Sequence, residues 1–332
     1  MLGRMSARLW SRKPAKRTII RALEAPLPNR LVREMLPLLR RLPGPVRDVG
    51  PKLPAPREFG LPLPDGRQLR LQTPPGQRGG MTQEVFSKGL GSYEPETLTL
   101  FLTLATGAET VFDVGAHIGL YALAAATLNP GARIFAFEPV PPVFDRLVAN
   151  VALNALPNVV CVKAAAGELA GRAEIFSNAG GMDPRGSQDP GHQLSWKPGP
   201  WRCDIVPTLD LDSFSRLVGV GQLTLAKIDV EKAEPQVLRG MTELLRLHRP
   251  HVFCEVFPEE WSPGLAAEIE AVVSPLDYHR YLLTPEGPQP ENQVKGCQNH
   301  LNHLLTPLAP IDLAPFVVEA RRLRERLVGL RP

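Results

Sequence analysis

The feature that most restricts the fold is an alternation, between about residues 110 and 256, of short apolar strands with stretches of helical periodicity. Thr110–Val114, Arg133–Phe137, Val159–Ala164, Leu223–Val230 and His251–Val256 read as strands. Helices are expected from about Gly119 to Leu128, from Val140 to Leu153 and from Glu234 to Leu247. A strand that is apolar on both faces must be covered on both, and a strand–helix–strand order joins parallel neighbours. The pattern therefore predicts an α/β domain built on a mostly parallel, doubly wound sheet. Ser177 to Pro200, rich in Gly, Pro, Ser and Asp, interrupts it and is too long for a simple connection. Loops of that length inside a domain are commonly functional.

A chain of 332 residues has room for one large domain and an extension. Residues 1–60 are basic and proline-punctuated: before Pro51, Arg4, Arg8, Arg12, Lys13, Lys16, Arg17, Arg21, Arg30, Arg33, Arg40, Arg41 and Arg47 stand against only Glu24, Glu34 and Asp48, so the basic excess of the chain is local. The rest is close to neutral or mildly acidic, so the folded domain is not expected to grip nucleic acid. The basic arm reads as a loosely docked extension, or as a surface in residues 1–50 for an anionic membrane or an acidic partner. Its Arg-rich, acid-poor composition is also that of an organelle transit peptide. Turn signals at Asp65-Gly66 and Gly79-Gly80 suggest a small β entry region over residues 61–92. The main domain is expected over 93–310 and a C-terminal helix over 311–332. Cys161, Cys203, Cys254 and Cys297 show no paired spacing, a pattern that suits a reducing cytoplasm better than a disulfide scaffold or zinc site.

Val111-Phe-Asp-Val-Gly-Ala-His-Ile-Gly119 is a buried strand that runs into a tight turn and a helix. Gly115 and Gly119 lack Cβ and allow a ligand to approach the backbone closely, and the helix start offers unpaired N–H groups. The next strand ends in Glu138, followed by Pro139. Ligands of doubly wound sheets bind at the carboxyl ends of the strands, where an acid can accept both hydroxyls of a ribose. A dinucleotide site would want glycine where His117 stands and no carboxylate beside its pyrophosphate. Asp113 instead suits an ammonium-bearing methionine tail, which favours S-adenosylmethionine over NAD.

With these blocks in view, the sequence resembles the FkbM-type methyltransferases from about Tyr93 to about Pro307. Tyr93-Glu-Pro-Glu96, Asp113 to Gly119, Phe137-Glu-Pro139, Asn150 to Asn154, Ala164 to Glu168, Lys227-Ile-Asp-Val-Glu231, Ala233-Glu234, Leu238-Arg-Gly240 and Arg249-Pro250 carry the resemblance in order. Lys232 departs from it, standing where the family usually has glycine. The resemblance implies a Rossmann-like class I methyltransferase fold and methyl transfer to a hydroxyl, typically of a sugar in a glycan or of a secondary metabolite. It also implies cofactor contacts from Asp113, Gly115, His117, Gly119 and Glu138, closure of Tyr93 and Glu94 over the methionine end, and approach of Glu168 to the adenine.

An alcohol nucleophile benefits from a base, and the end of the Leu223–Val230 strand offers Asp229 and Glu231. Residues two apart on a strand share a face, so Lys227, deeper in that strand, is either a third site residue or an ion-pair partner. Glu255, in an apolar strand, needs a partner or a substrate. His192 lies in the long loop; His300 and His303 read as packing or surface groups. A divalent metal is left open, with Asp229 and Glu255 as conceivable oxygen ligands. Methylation of a protein side chain and non-catalytic binding of S-adenosylmethionine are the other readings that the residues allow.

Overall fold

The computed structural model describes residues 55–73, 80–178, 186–187 and 201–330. The basic arm before residue 55, and His192 with most of the loop around it, lie outside the described residues. The chain divides into two units, residues 1–93 with 327–332, and residues 94–326.

In the first unit, β1 (Glu58–Pro62) and β2 (Gln68–Gln72) form an antiparallel hairpin. Its turn passes through Gly66 at φ 86°, a left-handed conformation that glycine adopts without strain. Alternate residues are buried, and Phe59 meets Phe86 of α1 (Gly80–Lys88) edge to face at 5.2 Å. The Gly79-Gly80 turn signal was thus half misleading: Gly80 opens a helix and does not extend the β region.

The second unit begins with α2 (Pro95–Ala105) and contains an eight-stranded sheet. β3 (Thr110–Val114), α3 (Leu120–Leu128), β4 (Arg133–Phe137), α4 (Pro141–Leu153) and β5 (Val159–Val162) follow in alternation. β6 (Ala165–Ala166), β7 (Gly171–Asn178), β8 (Gly186–Ser187) and β9 (Trp201–Leu209) make a separate four-stranded sheet. α5 (Leu211–Val218) returns the chain to β10 (Leu223–Ile228); α6 (Glu234–Arg239), α7 (Thr242–Leu247), β11 (His251–Glu255) and α8 (Leu265–Val273) continue the alternation. The hairpin β12 (His279–Thr284) and β13 (Gly287–Glu291), then β14 (Asn302–Thr306) and α9 (Pro310–Gly329), complete it.

The large sheet has the order β13-β12-β14-β11-β10-β3-β4-β5. β11, β10, β3, β4 and β5 are mutually parallel, whereas β14 runs antiparallel to β11 and to β12. This is the mostly parallel, doubly wound, Rossmann-like sheet expected. β3 is buried along its whole length, as its apolar sequence requires. On one face Phe112, Phe135 and Phe137 surround Phe214 of α5, with ring centroids 5.1–6.1 Å from it. On the other, Phe101 of α2 meets Tyr121 at 5.1 Å and Phe253 at 5.4 Å.

Two expected boundaries differ, each for a tertiary reason. The helix expected over 234–247 is two helices, broken where Gly240 abuts the Gly167 carbonyl so closely that a Cβ would lie 1.9 Å from that oxygen. The strand expected to reach Val230 ends at Ile228, because the chain then turns through left-handed Glu231 and Lys232 at φ 56° and 81°.

Candidate active site

Because β3, β4, β10 and β11 are parallel, their carboxyl ends lie along one edge, and that edge collects Gly115, Glu138, Asp229 and Glu255. The glycine turn after β3 is built by backbone. The N–H groups of Gly115 and Ala116 both donate to the Phe137 carbonyl, at 3.0 and 2.9 Å. Gly115 (φ 82°) and Gly119 (φ 94°) are left-handed, and so is His117 at φ 53°. A Cβ on Gly115 would stand 1.9 Å from the Asp229 carbonyl oxygen. The cofactor-type turn and the end of β10 are therefore in backbone contact, which only glycine permits.

Asp113 is 2% exposed and accepts the Ala122 N–H from the first turn of α3 at 2.9 Å. Burial pushes its carboxyl up to about 6 against the pull of the Lys227 ammonium. Glu138, 5% exposed, accepts the Val140 N–H at 2.9 Å on one oxygen and the His117 N–H at 3.0 Å on the other. Burial raises it to about 6 as well, opposed by His117 and by those two N–H groups. Each Glu138 oxygen takes one donor and keeps a lone pair, the arrangement needed to accept two neighbouring hydroxyls of one ribose. The residues present thus fit a nucleoside-bearing cofactor.

Lys227 lies in register beside Asp113 on the face covered by α3, and is 4% exposed. Its Nζ donates to Asp229 Oδ2 at 2.6 Å and sits 4.6 Å from the centre of the Tyr121 ring. Tyr121 in turn donates its hydroxyl to Glu94 Oε2 at 2.7 Å. Burial alone would lower the Lys227 ammonium, but Asp229, Glu94 and Asp113 outweigh it and hold it above its ordinary value. Lys227 is therefore a fixed cation at neutral pH and not a base. Breaking such a buried pair costs more than the pair contributes, since it leaves one charge uncompensated.

The residues expected from sequence do not all stand together. Glu94, Asp113, Lys227 and Asp229 stand in one electrostatic network, with Gly115, His117, Gly119 and Glu138 on the adjoining turn. Glu231 follows two residues after Asp229, but in the left-handed turn and not on the strand, so strand alternation does not put them on one face. Glu168 accepts from Arg239 Nε at 2.8 Å, an exposed contact. Tyr93 belongs to the first unit, where its N–H reaches the Leu90 carbonyl at 3.5 Å.

Two residues had no role assigned from sequence. Tyr121 reads as one more large residue of an apolar helix, although its place two residues after Gly119 sets it in the turn that faces the strand ends. Glu234 is fully buried, accepts the Val230 and Lys232 N–H groups on Oε1 at 3.0 and 3.3 Å, and is pushed up to about 8 by burial. Glu255 also lies well above the carboxylate range, from burial first and then from Asp229, Glu231 and Glu234. His303 is buried on β14 with Nε2 3.2 Å from Glu291 Oε2, in keeping with a packing role. Among the described residues, no group of three or more His, Cys, Asp or Glu is placed to hold a metal ion.

Residues 113–282 match the family described as "Methyltransferase FkbM domain". Among characterised proteins, methyltransferase sdnD of Sordaria araneosa is 29% identical over 187 residues, covering 49% of this chain and 71% of that one. The 31-O-demethyl-FK506 methyltransferase FkbM of Streptomyces tacrolimicus is 27% identical, covering 41% and 60%. The hexuronic acid methyltransferase AglP of Haloferax volcanii is 29% identical, covering 46% and 58%. The chain thus spans less than two thirds of the length of the last two. A solved FkbM methyltransferase structure from Methylobacillus flagellatus superposes with a TM-score of 0.40 at 16% identity, over 60% of this chain and 43% of that one. With more than half its length inside the family's domain, the chain belongs to the FkbM methyltransferase family and is an S-adenosylmethionine-dependent methyltransferase.

Proposed function

We propose that the protein transfers a methyl group to a hydroxyl oxygen of a sugar or of a glycosylated small molecule. The observation that carries this reading is the contact of Asp229 with Gly115: the one strand-end carboxylate paired to a buried lysine adjoins the turn suited to the cofactor. S-adenosylmethionine, when bound, supplies a methyl group on a cationic sulfur. Glu138 would accept the ribose hydroxyls, and the Gly115–Gly119 turn would let the backbone come close. Asp113 and Glu94 would face the methionine ammonium, two carboxylates against one cation.

Asp229 accepts the proton that the acceptor hydroxyl gives up. Its second oxygen is held by Lys227, which fixes the carboxylate's orientation while remaining protonated itself. Much of the remaining acceleration comes from alignment, since an in-line displacement depends steeply on the approach of its two atoms. Glu231 lines the rim of the same turn. The hydroxyl acceptor is supported by the relatives' names, one a 31-O-demethyl-FK506 methyltransferase and one a hexuronic acid methyltransferase. A cytoplasmic setting is supported by the four cysteines, all free thiols. No described helix is long and apolar enough to cross a membrane.

Calorimetric titration with S-adenosylmethionine and, separately, NAD tests the site, with Asp113→Ala and Glu138→Ala as controls. Saturable binding of S-adenosylmethionine, lost in both variants, is expected and leads to a screen of sugar hydroxyl acceptors. Binding of NAD alone, or retention of S-adenosylmethionine by both variants, overturns the assignment.

A further inference from the structure

We infer that Glu234 is a positioning residue for methyl transfer: its buried carboxyl group clamps the turn after β10 and so keeps the Asp229 carboxylate on Lys227. The inference rests on the role given to Asp229 above.

The turn from Asp229 to Ala233 is anchored at both ends. Upstream, the Asp229 N–H donates to the Val114 carbonyl at 3.0 Å, and the Asp229 carbonyl is packed on Gly115. Downstream, one oxygen of Glu234 collects the N–H groups of Val230 and Lys232, the residues on either side of Glu231. Between these anchors, Glu231 and Lys232 are consecutive left-handed residues with side chains. Such a pair persists only when its surroundings over-determine it. Glu234 is a surrounding group that bonds the backbone on both sides of Glu231, and it sits at the first position of α6 with Pro235 behind it, on backbone already fixed in helical geometry.

Glu234 is 0% exposed, and carboxylates are almost never fully buried unless paired. Its other oxygen, Oε2, has no hydrogen-bond partner among the described residues, so the clamp uses a single acceptor atom. Removing that atom would take the shared acceptor from the N–H groups on either side of Glu231 and free the turn to relax around the left-handed pair. Asp229 lies directly before the released segment. Its carboxylate would then lose its fixed direction toward Lys227, while the strand beneath it stayed in place. Glutamine supplies the same acceptor atom without the charge, so Glu234→Gln keeps the clamp and Glu234→Ala does not.

The test follows the Lys227 ammonium signal and the exchange of the Val230 and Lys232 amides by nuclear magnetic resonance. Wild type, Glu234→Gln and Glu234→Ala are compared. In Glu234→Ala both amides are expected to exchange about 100-fold faster and the Lys227 signal to vanish into water exchange, with Glu234→Gln within about threefold of wild type. A group that merely stabilises the fold would lower the melting temperature without singling out these three protons. Retention of all three signals in Glu234→Ala overturns the inference, as does a Glu234→Gln variant that behaves like Glu234→Ala. Should Glu234→Ala not fold, wild type and Glu234→Gln decide: protected amides with an observable Lys227 signal in both support the clamp, and fast exchange at either amide overturns it. S-adenosylmethionine titrated into the same samples tests the cofactor separately. A wild-type protein that shows the Lys227 signal but binds no S-adenosylmethionine fails the functional reading and leaves the clamp standing.

Discussion

The ends of β3 and β4 and the ends of β10 and β11 use the same materials, carboxylates on a parallel-sheet edge, to opposite effect. At β3 and β4, Asp113 and Glu138 are each met by backbone N–H groups of the turn they serve. They stand well apart in role, one facing the buried Lys227 and one proposed to accept the ribose hydroxyls. At β10 and β11, Asp229, Glu234 and Glu255 crowd together, and each raises the proton affinity of a neighbour. A carboxylate satisfied by fixed donors is a recognition element. Crowded carboxylates, one of them hydrogen-bonded to Lys227, suit a place where a proton changes hands with little reorganisation. The first half is suited to hold a ligand that does not change, and the second to do chemistry.

The sharpest way to break that contrast is to disable one half and ask whether the other notices. Asp229→Asn should lower turnover on an acceptor found by screening by about 10²- to 10³-fold, the usual worth of a positioned base. Its affinity for S-adenosylmethionine should stay within about twofold, since the groups proposed to hold the cofactor lie on the other half. Steady-state kinetics paired with calorimetry reads both. A proportional loss of affinity would mean that the two halves are one binding site.

Gly115 is where the halves touch, and Gly115→Ala should damage both. The new Cβ would fall 1.9 Å from the Asp229 carbonyl oxygen, in a backbone conformation at φ 82° that alanine adopts with strain. Overpacking and left-handed strain together suggest a loss of about 2–4 kcal/mol in urea unfolding. Gly219, which ends α5 at φ 65° with open space around it, isolates the strain alone, and Gly219→Ala should cost about 1 kcal/mol. Equal losses at the two positions would show that the close contact relaxes easily.

The first half was legible in the sequence because its parts are contiguous. Asp113, Gly115, His117 and Gly119 fall within seven residues of a strand–turn–helix, and Glu138 ends the next strand. The second half was legible only in its residue types. That β10 stops at Ile228 depends on a carboxylate reaching back from Glu234, and a strand period cannot express that. The Tyr121–Glu94 hydrogen bond spans 27 residues, so Tyr121 looked like core. The ion pair of Glu168, a residue that the family resemblance implies near the adenine, with Arg239 spans 71 residues and is brought about by the Gly167–Gly240 backbone contact. Local chemistry could be read from spacing, but not contacts made by a returning helix.

Within the first half, stability and cofactor binding should respond oppositely to pH. Asp113 and Glu138 ionise near 6 in the folded protein, above their ordinary 3.8 and 4.5. A raised carboxyl binds its proton more tightly folded than unfolded. Its contribution to stability is therefore complete below the ordinary value and is lost as pH rises through about 6. Cofactor binding runs the other way, because a cationic ligand prefers both groups ionised. Affinity for S-adenosylmethionine should rise roughly tenfold or more from pH 5 to pH 7 and then level off. Calorimetry across that range checks it, and Asp113→Asn should flatten the slope. A flat wild-type profile would place the cofactor's charge away from these carboxylates.

The smallest effect bears on the second half alone. Lys232 stands at φ 81°, where a side chain costs about 1–2 kcal/mol and glycine almost nothing. Against this, glycine gives the unfolded chain extra freedom worth roughly 0.5–1 kcal/mol, so Lys232→Gly should stabilise the protein by about 1 kcal/mol or less. Glycine, the residue usual here in the FkbM-type family, removes none of the backbone groups that Glu234 accepts, so the turn should keep its shape and cofactor affinity should not move. Urea unfolding and calorimetry on the one variant measure the two quantities. A destabilised Lys232→Gly protein would mean that the lysine side chain contributes more to the turn than its backbone strain costs, and the rigidity of the reactive half would then rest on Lys232 as well as on Glu234.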